Sequence, residues 1–402
     1  MPSRIDDLLD RRHGRVAGRL HTVDDARRLA RRRVPRPVFD YIDGAAGSES
    51  TLEANRTALE AVEFLPRMGV SRGFPGPDLA TTVLGQPVSM PLLLSPVGFT
   101  RMMHPSGDVA GARAAGAAGT VFTLSSMSGH TMEEVSAAAA EGGVPPWFQL
   151  YSLGGRQGAE QLVDRAGRAG FRVLVVTLDT QVPGNRERDL RYGLSPPLQL
   201  DRRTVTAMAP LAAVRPWWLV EAARDRFRLE LVNAASLGMS ATDALVRWLG
   251  APPTWEDFGW IREHWTGPVV AKGVLTAEDA RRALDSGADA VCVSNHGGRQ
   301  LDGVPATIRA LVEVVDAVGD RSEVLVDGGF RRGADVVKAL AVGARAAMIG
   351  RPWSFGLAAA AQPGVEKVLA VLRADIDRTL RLLGVGSVAD LDRSHVRLPA
   401  PW

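Results

Sequence analysis

The stretch Ser294-Asn295-His296-Gly297-Gly298-Arg299-Gln300-Leu301-Asp302 sets a histidine and an arginine three positions apart, directly after the apolar run Ala290 to Val293. Histidine moves a proton near neutral pH, and arginine grips a carboxylate through two parallel hydrogen bonds. Together they suit an acid substrate that gives up a proton. A lone histidine after a strand is more often a loop residue bonded to backbone, so the motif gains weight only from what surrounds it.

The elements that must position it are eight short apolar runs separated by helical, Ala-rich stretches. The runs are Val88 to Gly98, Thr120 to Ser126, Pro146 to Tyr151, Val173 to Asp179, Val269 to Val274, Ala290 to Asn295, Glu323 to Gly329 and Ala346 to Arg351. Near-continuous apolar character implies burial on both faces, as in parallel strands covered by helices. Helices are predicted over Ser106 to Ala118, Gly158 to Ala169, Thr276 to Ser286, Ala306 to Val318 and Gly333 to Gly343. The alternation predicts an α/β fold, a TIM (β/α)8 barrel. Active sites of such barrels lie at the C-terminal ends of the strands. Those ends carry Gly98, Ser125, Gln149 with Tyr151, Thr177 with Asp179, Lys272, Ser294 with His296, Asp327 with Gly328 and Gly329, and Gly350 with Arg351. A purely structural barrel has no need of Lys272 and Asp327 there, because an unpaired buried charge is costly.

The last two strands end in Asp327-Gly328-Gly329-Phe330-Arg331-Arg332-Gly333 and Ile349-Gly350-Arg351-Pro352. Glycines and arginines beside helix starts favour a phosphate, and phosphate sites after the seventh and eighth strands recur in this fold.

With 402 residues, 46% hydrophobic and 23% charged, the chain can bury a large core. Its net charge is only +3, yet Arg11, Arg12, Arg15, Arg19, Arg27, Arg28 and Arg31 to Arg33 crowd the start. Residues 1–21 read as a solvated or partly disordered extension preceding a single domain over 22–402. Interspersed aspartates and the lack of stacking aromatics speak against a nucleic-acid arm. One cysteine, Cys292, builds neither a disulfide framework nor a thiolate metal site. No metal is expected. The absence of a secretory signal and of a long apolar stretch predicts a soluble, cytoplasmic protein with no membrane contact.

These residues resemble the FMN-dependent α-hydroxy acid oxidases and dehydrogenases, a family that includes glycolate oxidase, lactate oxidase, mandelate dehydrogenase and lactate 2-monooxygenase. SNHGGRQLD is similar to the family's active-site signature, and DGGFRRGADVVKALAVGA with IGRP to its phosphate-binding end. VFDYIDGAAGSESTLEANR, FQLY and LDT followed by GNRERD also match family blocks, and the resemblance runs from about Thr22 to Leu391. It implies FMN as cofactor, a small 2-hydroxy acid as substrate, oxygen or another electron acceptor, and a homo-oligomer, commonly a tetramer. His296 would be the base, taking either the Cα proton or the hydroxyl proton. Asp179 would pair with the imidazolium, Arg186 and Arg299 would hold the carboxylate, and Tyr41 and Tyr151 would donate hydrogen bonds to substrate oxygens. Lys272 would stabilise negative charge on the reduced flavin. Pro96, Val97 and Gly98 would press against the ring, and Ser125, Gln149, Thr177 and Ser294 would bond its edges. Asp327 would hold ribityl hydroxyls, and Gly328, Gly329, Arg331, Gly350 and Arg351 the phosphate end.

Two departures bear on substrate. Several members have alanine at Gly98, and glycolate-specific members have tryptophan at Met127; both changes remove bulk, which implies a substrate larger than glycolate. The stretch Arg191 to Pro253 far exceeds an ordinary connection after the fourth strand and carries Trp217, Trp218, Leu219 and Trp248, with helical spacing from Leu219 to Leu231. In the family such an insertion acts as a lid or, in one branch, as a lipid anchor; its mixed Arg and Glu content favours a lid or an oligomer contact. Competing readings are a decarboxylating monooxygenase, a biosynthetic enzyme acting on a peptide-derived or secondary-metabolite substrate, and a flavin-binding module that has lost catalysis.

Overall fold

The computed structural model describes residues 4–69, 76–193, 209–400 and 402. Its centre is a ring of eight parallel strands: β1 (Leu92–Leu94), β2 (Thr123–Ser125), β3 (Trp147–Leu150), β4 (Val173–Thr177), β5 (Val269–Val274), β6 (Ala290–Val293), β7 (Glu323–Asp327) and β8 (Ala346–Ile349). Each pairs with its sequence neighbour from β2 to β8, β8 pairs with β1, and a bridge from Leu94 to Phe122 brings β1 to β2. All eight predicted strands are present; Val269–Val274 keeps its predicted bounds and the other seven are trimmed to the residues that pair. The five predicted helices are present as well. A further barrel helix, Met132–Ala140, begins with a capping box in which the Thr131 hydroxyl accepts from the Glu134 N–H and the Glu134 carboxylate accepts from the Thr131 N–H.

Alternation along the strands sorts side chains inward and outward. Leu93, Trp147, Val173, Val175, Val270, Cys292, Leu325 and Met348 fill the barrel, while Leu92, Leu94, Phe148, Leu174, Val176 and Val326 meet the surrounding helices. The hairpin Thr81–Val83 with Gln86–Val88 plugs the N-terminal end. There the buried Trp147 indole donates to Gln86 Oε1 at 2.9 Å, so the interior is packed and only the opposite mouth is open.

Residues 4–21 depart from expectation. Arg4–Ala17 is a helix, α1, followed by α2 (Val23–Arg33), α3 (Arg36–Asp43) and α4 (Ser50–Ala61). Leu9, His13 and Ala17 are buried, because α1 packs on the last helix, Arg351–Leu383. The arginines that suggested a solvated tail occupy the outer faces of an amphipathic helix. The last helix is the one among the described residues long and apolar enough to cross a membrane, but two thirds of that stretch is buried against the rest of the chain, and its backbone breaks at Ala360 and Ala361 before Pro363.

Of the stretch 191–253, residues 194–208 lie outside the described part; the remainder includes helices Pro216–Arg224, Val232–Ala235 and Ala241–Gly250. The helix predicted over Leu219 to Leu231 stops at Arg224, where Arg226 and Phe227 turn left-handed at φ 56° and 51°. Glu221 anchors this region to the N-terminal helices: its carboxylate accepts from Arg33 at 2.8 Å and lies 2.9 Å from His13 Nε2, with His104 Nε2 at 3.7 Å. Burial alone would raise the Glu221 carboxyl, but hydrogen bonding to His13 and the charges of His104 and Arg33 carry it down to about 2.

Candidate active site

The open mouth of the barrel is a cavity of about 1320 Å³ including its opening to solvent, lined at the strand ends by Ser95 to Phe99, Ser125, Met127, Gln149, Tyr151, Thr177, Lys272, His296, Asp327 and Gly350, among others. His296 enters it from a sharp turn after β6. Its φ is 56°, and Gly297 and Gly298 follow at 64° and 77°, so three consecutive residues are left-handed. Glycine is required at both later positions, since a β carbon at Gly297 would meet Arg351 Nη1 at 2.6 Å and one at Gly298 would meet Leu52 N at 2.8 Å.

Asp179, beyond β4, holds His296 Nδ1 at 3.0 Å, which orients the ring and leaves the Nε2 edge for a substrate. Burial works against the charge on Asp179, yet His296 and Lys272 outweigh it and hold the carboxyl below its usual range. Asp179 can approach because β5 bulges between Lys272 and Val274; Gly273 there has φ 104°, and a β carbon on it would lie 2.7 Å from Asp179 Cβ.

Lys272 and Asp327, the charges that looked costly in the sequence, pair with each other at 2.8 Å, and Lys272 Nζ also donates to Ser294 Oγ at 2.8 Å. Burial would lower the lysine, but Asp327 outweighs it and the ammonium is held above its usual range.

The two arginines assigned to a carboxylate do meet in the cavity. Arg186 donates to Arg299 O at 3.3 Å and to Gln300 Oε1 at 3.2 Å, while Arg299 donates to Tyr41 O at 2.6 Å and Gly44 O at 3.0 Å and lies 4.9 Å over the Tyr41 ring. Among the described residues neither has a carboxylate within 4.0 Å. Burial, with Arg299 alongside, pushes Arg186 down to about 10. Two half-buried cations whose hydrogen-bond partners among the described residues are carbonyl oxygens are a place for an anion. Tyr41 OH donates to Gly98 O at 3.1 Å, and Tyr151, buried, lies with its ring 4.6 Å from that of Trp248. Burial raises both phenols, so each is a protonated donor at neutral pH.

On the opposite side, buried polar atoms lack partners. Gln149 Nε2, Thr177 Oγ1 and Asp327 Oδ1 are unpaired on β3, β4 and β7, and Ser125 Oγ donates to Gln149 Oε1 at 3.1 Å, which turns the amide nitrogen outward. Unsatisfied groups on several strands fit the polar edge of a bound ring. Arg331 is pushed down to about 10 by burial, with the charge of Arg56 adding to the effect, and Arg351 is held well below its usual range by burial and by the charges of Arg299 and Arg331. These cations fit a phosphate at the end of β7 and β8. Arg351 has a second task, because it donates to Ile42 O, Gly297 O and Gly44 O at 3.1, 2.8 and 2.7 Å and thereby braces α3 and the histidine turn. Pro96 and Val97 line the cavity.

One reading needs correction. Gly98 does not open space, since a β carbon there would meet Met127 Cβ at 2.7 Å; the buried Met127 already fills what glycine leaves. Gly328 and Gly329 line the cavity and also allow close packing beneath it, where β carbons would meet Thr307 Oγ1 at 2.9 Å and Asn55 O of α4 at 2.5 Å. Asn55, unnoticed in the sequence, exchanges two 2.9 Å hydrogen bonds with Asn295 and accepts from Thr307 N–H, tying α4 to the motif. Leu245 and Trp248 of the insertion also line the cavity, and only the aromatic character of Trp248 signalled it beforehand.

Comparison with known proteins agrees with this geometry. Residues 30–398 match the model of the FMN-dependent dehydrogenases. The chain is 44% identical over 386 residues to pre-mycofactocin synthase of Mycobacterium tuberculosis, covering 94% of each, and 43% identical over 379 residues to L-lactate dehydrogenase of Caulobacter vibrioides, covering 93% of this chain and 96% of that one. Among solved structures, the monotopic membrane protein (S)-mandelate dehydrogenase is similar at a TM-score of 0.83 and 35% identity, over 95% of this chain and all of the other. With a barrel mouth that places a histidine–aspartate pair beside two arginines lacking a carboxylate partner among the described residues, and with unpaired buried polar atoms on three strands, the chain belongs to the FMN-dependent dehydrogenase family and is an FMN-dependent enzyme of the hydroxy acid oxidase and dehydrogenase type.

Proposed function

We propose that the protein oxidises an L-2-hydroxy acid to the 2-oxo acid. The observation that carries this reading is the pair Arg186 and Arg299, half-buried and without a carboxylate partner among the described residues, beside a histidine already oriented by Asp179. The arginines bind the substrate carboxylate, and Tyr41 and Tyr151 donate to its oxygens. His296 Nε2 accepts one proton from the substrate, and the Asp179 carboxylate neutralises the imidazolium that forms. Gln149, Thr177, Ser125, Ser294 and Asp327 would hold the ring edge and ribityl chain of FMN, and Arg331, Arg351 and the glycine turns would hold its phosphate. When bound, FMN accepts the electron pair and passes it to oxygen or another acceptor. Lys272, protonated and held by Asp327, supplies positive charge where negative charge develops.

The 44% identity to pre-mycofactocin synthase supports a second reading, in which the oxidised group is an amine or hydroxyl of a biosynthetic intermediate. Product analysis separates the readings. A panel of 2-hydroxy acids under air should give the 2-oxo acid; a shortened acid with carbon dioxide would instead mark a decarboxylating monooxygenase. Inertness toward the whole panel would leave the biosynthetic reading.

A further inference from the structure

We propose that Trp248, on the insertion helix Ala241–Gly250, determines specificity for the substrate's side chain: its indole N–H donates to an oxygen acceptor carried by a planar side chain beneath the roof formed with Leu245. The proposal rests on the hydroxy-acid reading and concerns the portion of substrate which that reading leaves open.

Trp248 is buried, lines the same cavity as His296 and Arg186, and lies 4.6 Å from the Tyr151 ring at a tilt of 36°. Its N–H is buried without any partner. The other buried indoles differ in this respect. Trp147 donates to Gln86, Trp260 to Asp257, Trp265 to Pro268 O and Trp353 to Ser95 O. Tryptophan N–H groups are ordinarily satisfied when buried, and a site built to bond a substrate oxygen rejects analogues lacking it. Leu245, Met127, Phe99 and Val97 also line the cavity, so much of the wall available to a substrate side chain is apolar and the unpartnered Trp248 N–H is a polar exception on the insertion helix. A carboxylate on the arginines and a flat group reaching the roof use both ends of the cavity. The chemical class is therefore a 2-hydroxy acid whose aryl or similarly planar side chain bears an ether, carbonyl or amide oxygen.

The test uses the FMN-loaded enzyme and binding of product-type 2-oxo acids, read as perturbation of the flavin spectrum. Aryl glyoxylates carrying a methoxy or acetamido group at each ring position are paired with alkyl isosteres, with pyruvate as a short control. In the natural protein one oxygen-bearing ligand should bind about tenfold more tightly than its isostere. Trp248→Phe should bring that ratio close to one while changing pyruvate binding less than about twofold, and Leu245→Ala should leave the ratio intact. A natural-protein ratio near one at every position overturns the role of the N–H while leaving the hydroxy-acid reading standing. Parallel weakening of every ligand in Trp248→Phe also overturns it, by reducing Trp248 to packing against Tyr151. Should Trp248→Phe fail to load flavin, Trp248→His, which keeps a ring N–H, must retain part of the preference, and its absence there counts against the proposal. If no 2-oxo acid perturbs the flavin and no 2-hydroxy acid reduces it, the hydroxy-acid reading falls and this proposal with it.

Discussion

At the scale of the residue, the site depends on close approaches that leave little slack. Gly273→Ala places a β carbon 2.7 Å from Asp179 Cβ at a φ of 104°, so it should displace the aspartate from His296. We expect flavin reduction to slow about tenfold or more, with stability reduced by about 1–3 kcal/mol, checked by rapid-reaction kinetics and denaturant unfolding. Gly98→Ala sets a β carbon 2.7 Å from Met127 Cβ, an atom that no rotamer change moves, and should cost about 1–3 kcal/mol; adding Met127→Gly, which removes that atom, should recover part of that loss, a coupling that a double-mutant cycle measures. His296 and Arg299 were legible in the sequence because they share one turn, and Asp179 and Arg186 through family blocks. Their contacts were not legible. The pairing of Lys272 with Asp327, the brace made by Arg351 and the Asn55–Asn295 exchange join residues far apart in the chain, and only the closed barrel brings them together.

At the scale of the element, the buried cluster of His13, Arg33, His104 and Glu221 ties α1 and α2 to the insertion that carries the roof. Burial pushes His104 down to about 4, against an ordinary histidine value near 6.5 in the unfolded chain. A group depressed on folding stabilises the native state above its unfolded pKa, and that stability is lost as pH falls. The loss attributable to His104 therefore runs from about pH 6.5 to about 4 and amounts to roughly 3 kcal/mol; Glu221, lowered to about 2, extends it below the ordinary glutamate range. Denaturant unfolding of His104→Gln should show a flatter pH dependence across the upper window than the natural protein, and equal slopes would contradict this assignment. The insertion was visible as an overlong connection, and the first helix was misread because its arginines mask the buried stripe of Leu9, His13 and Ala17. Helix boundaries within the insertion were obscured because Arg226 and Phe227 adopt left-handed backbone without a glycine to announce it.

At the scale of the whole molecule, a barrel packed at one end and open at the other makes stability and chemistry separable. Trp147→Ala removes a fully buried side chain and its bond to Gln86 at the closed end, which should cost about 3–5 kcal/mol in unfolding experiments while flavin reduction in the surviving folded protein changes little. The fold was readable because eight apolar runs alternate with helical stretches, a pattern that few architectures satisfy. The central claim is that His296, oriented by Asp179, takes the substrate's proton. Its most direct test is anaerobic flavin reduction by a 2-hydroxy acid that the natural protein oxidises, compared with His296→Gln loaded with FMN. The account predicts that the substitution slows reduction by about 10²–10⁴-fold while the variant still binds the 2-oxo acid; reduction at the natural rate would contradict it.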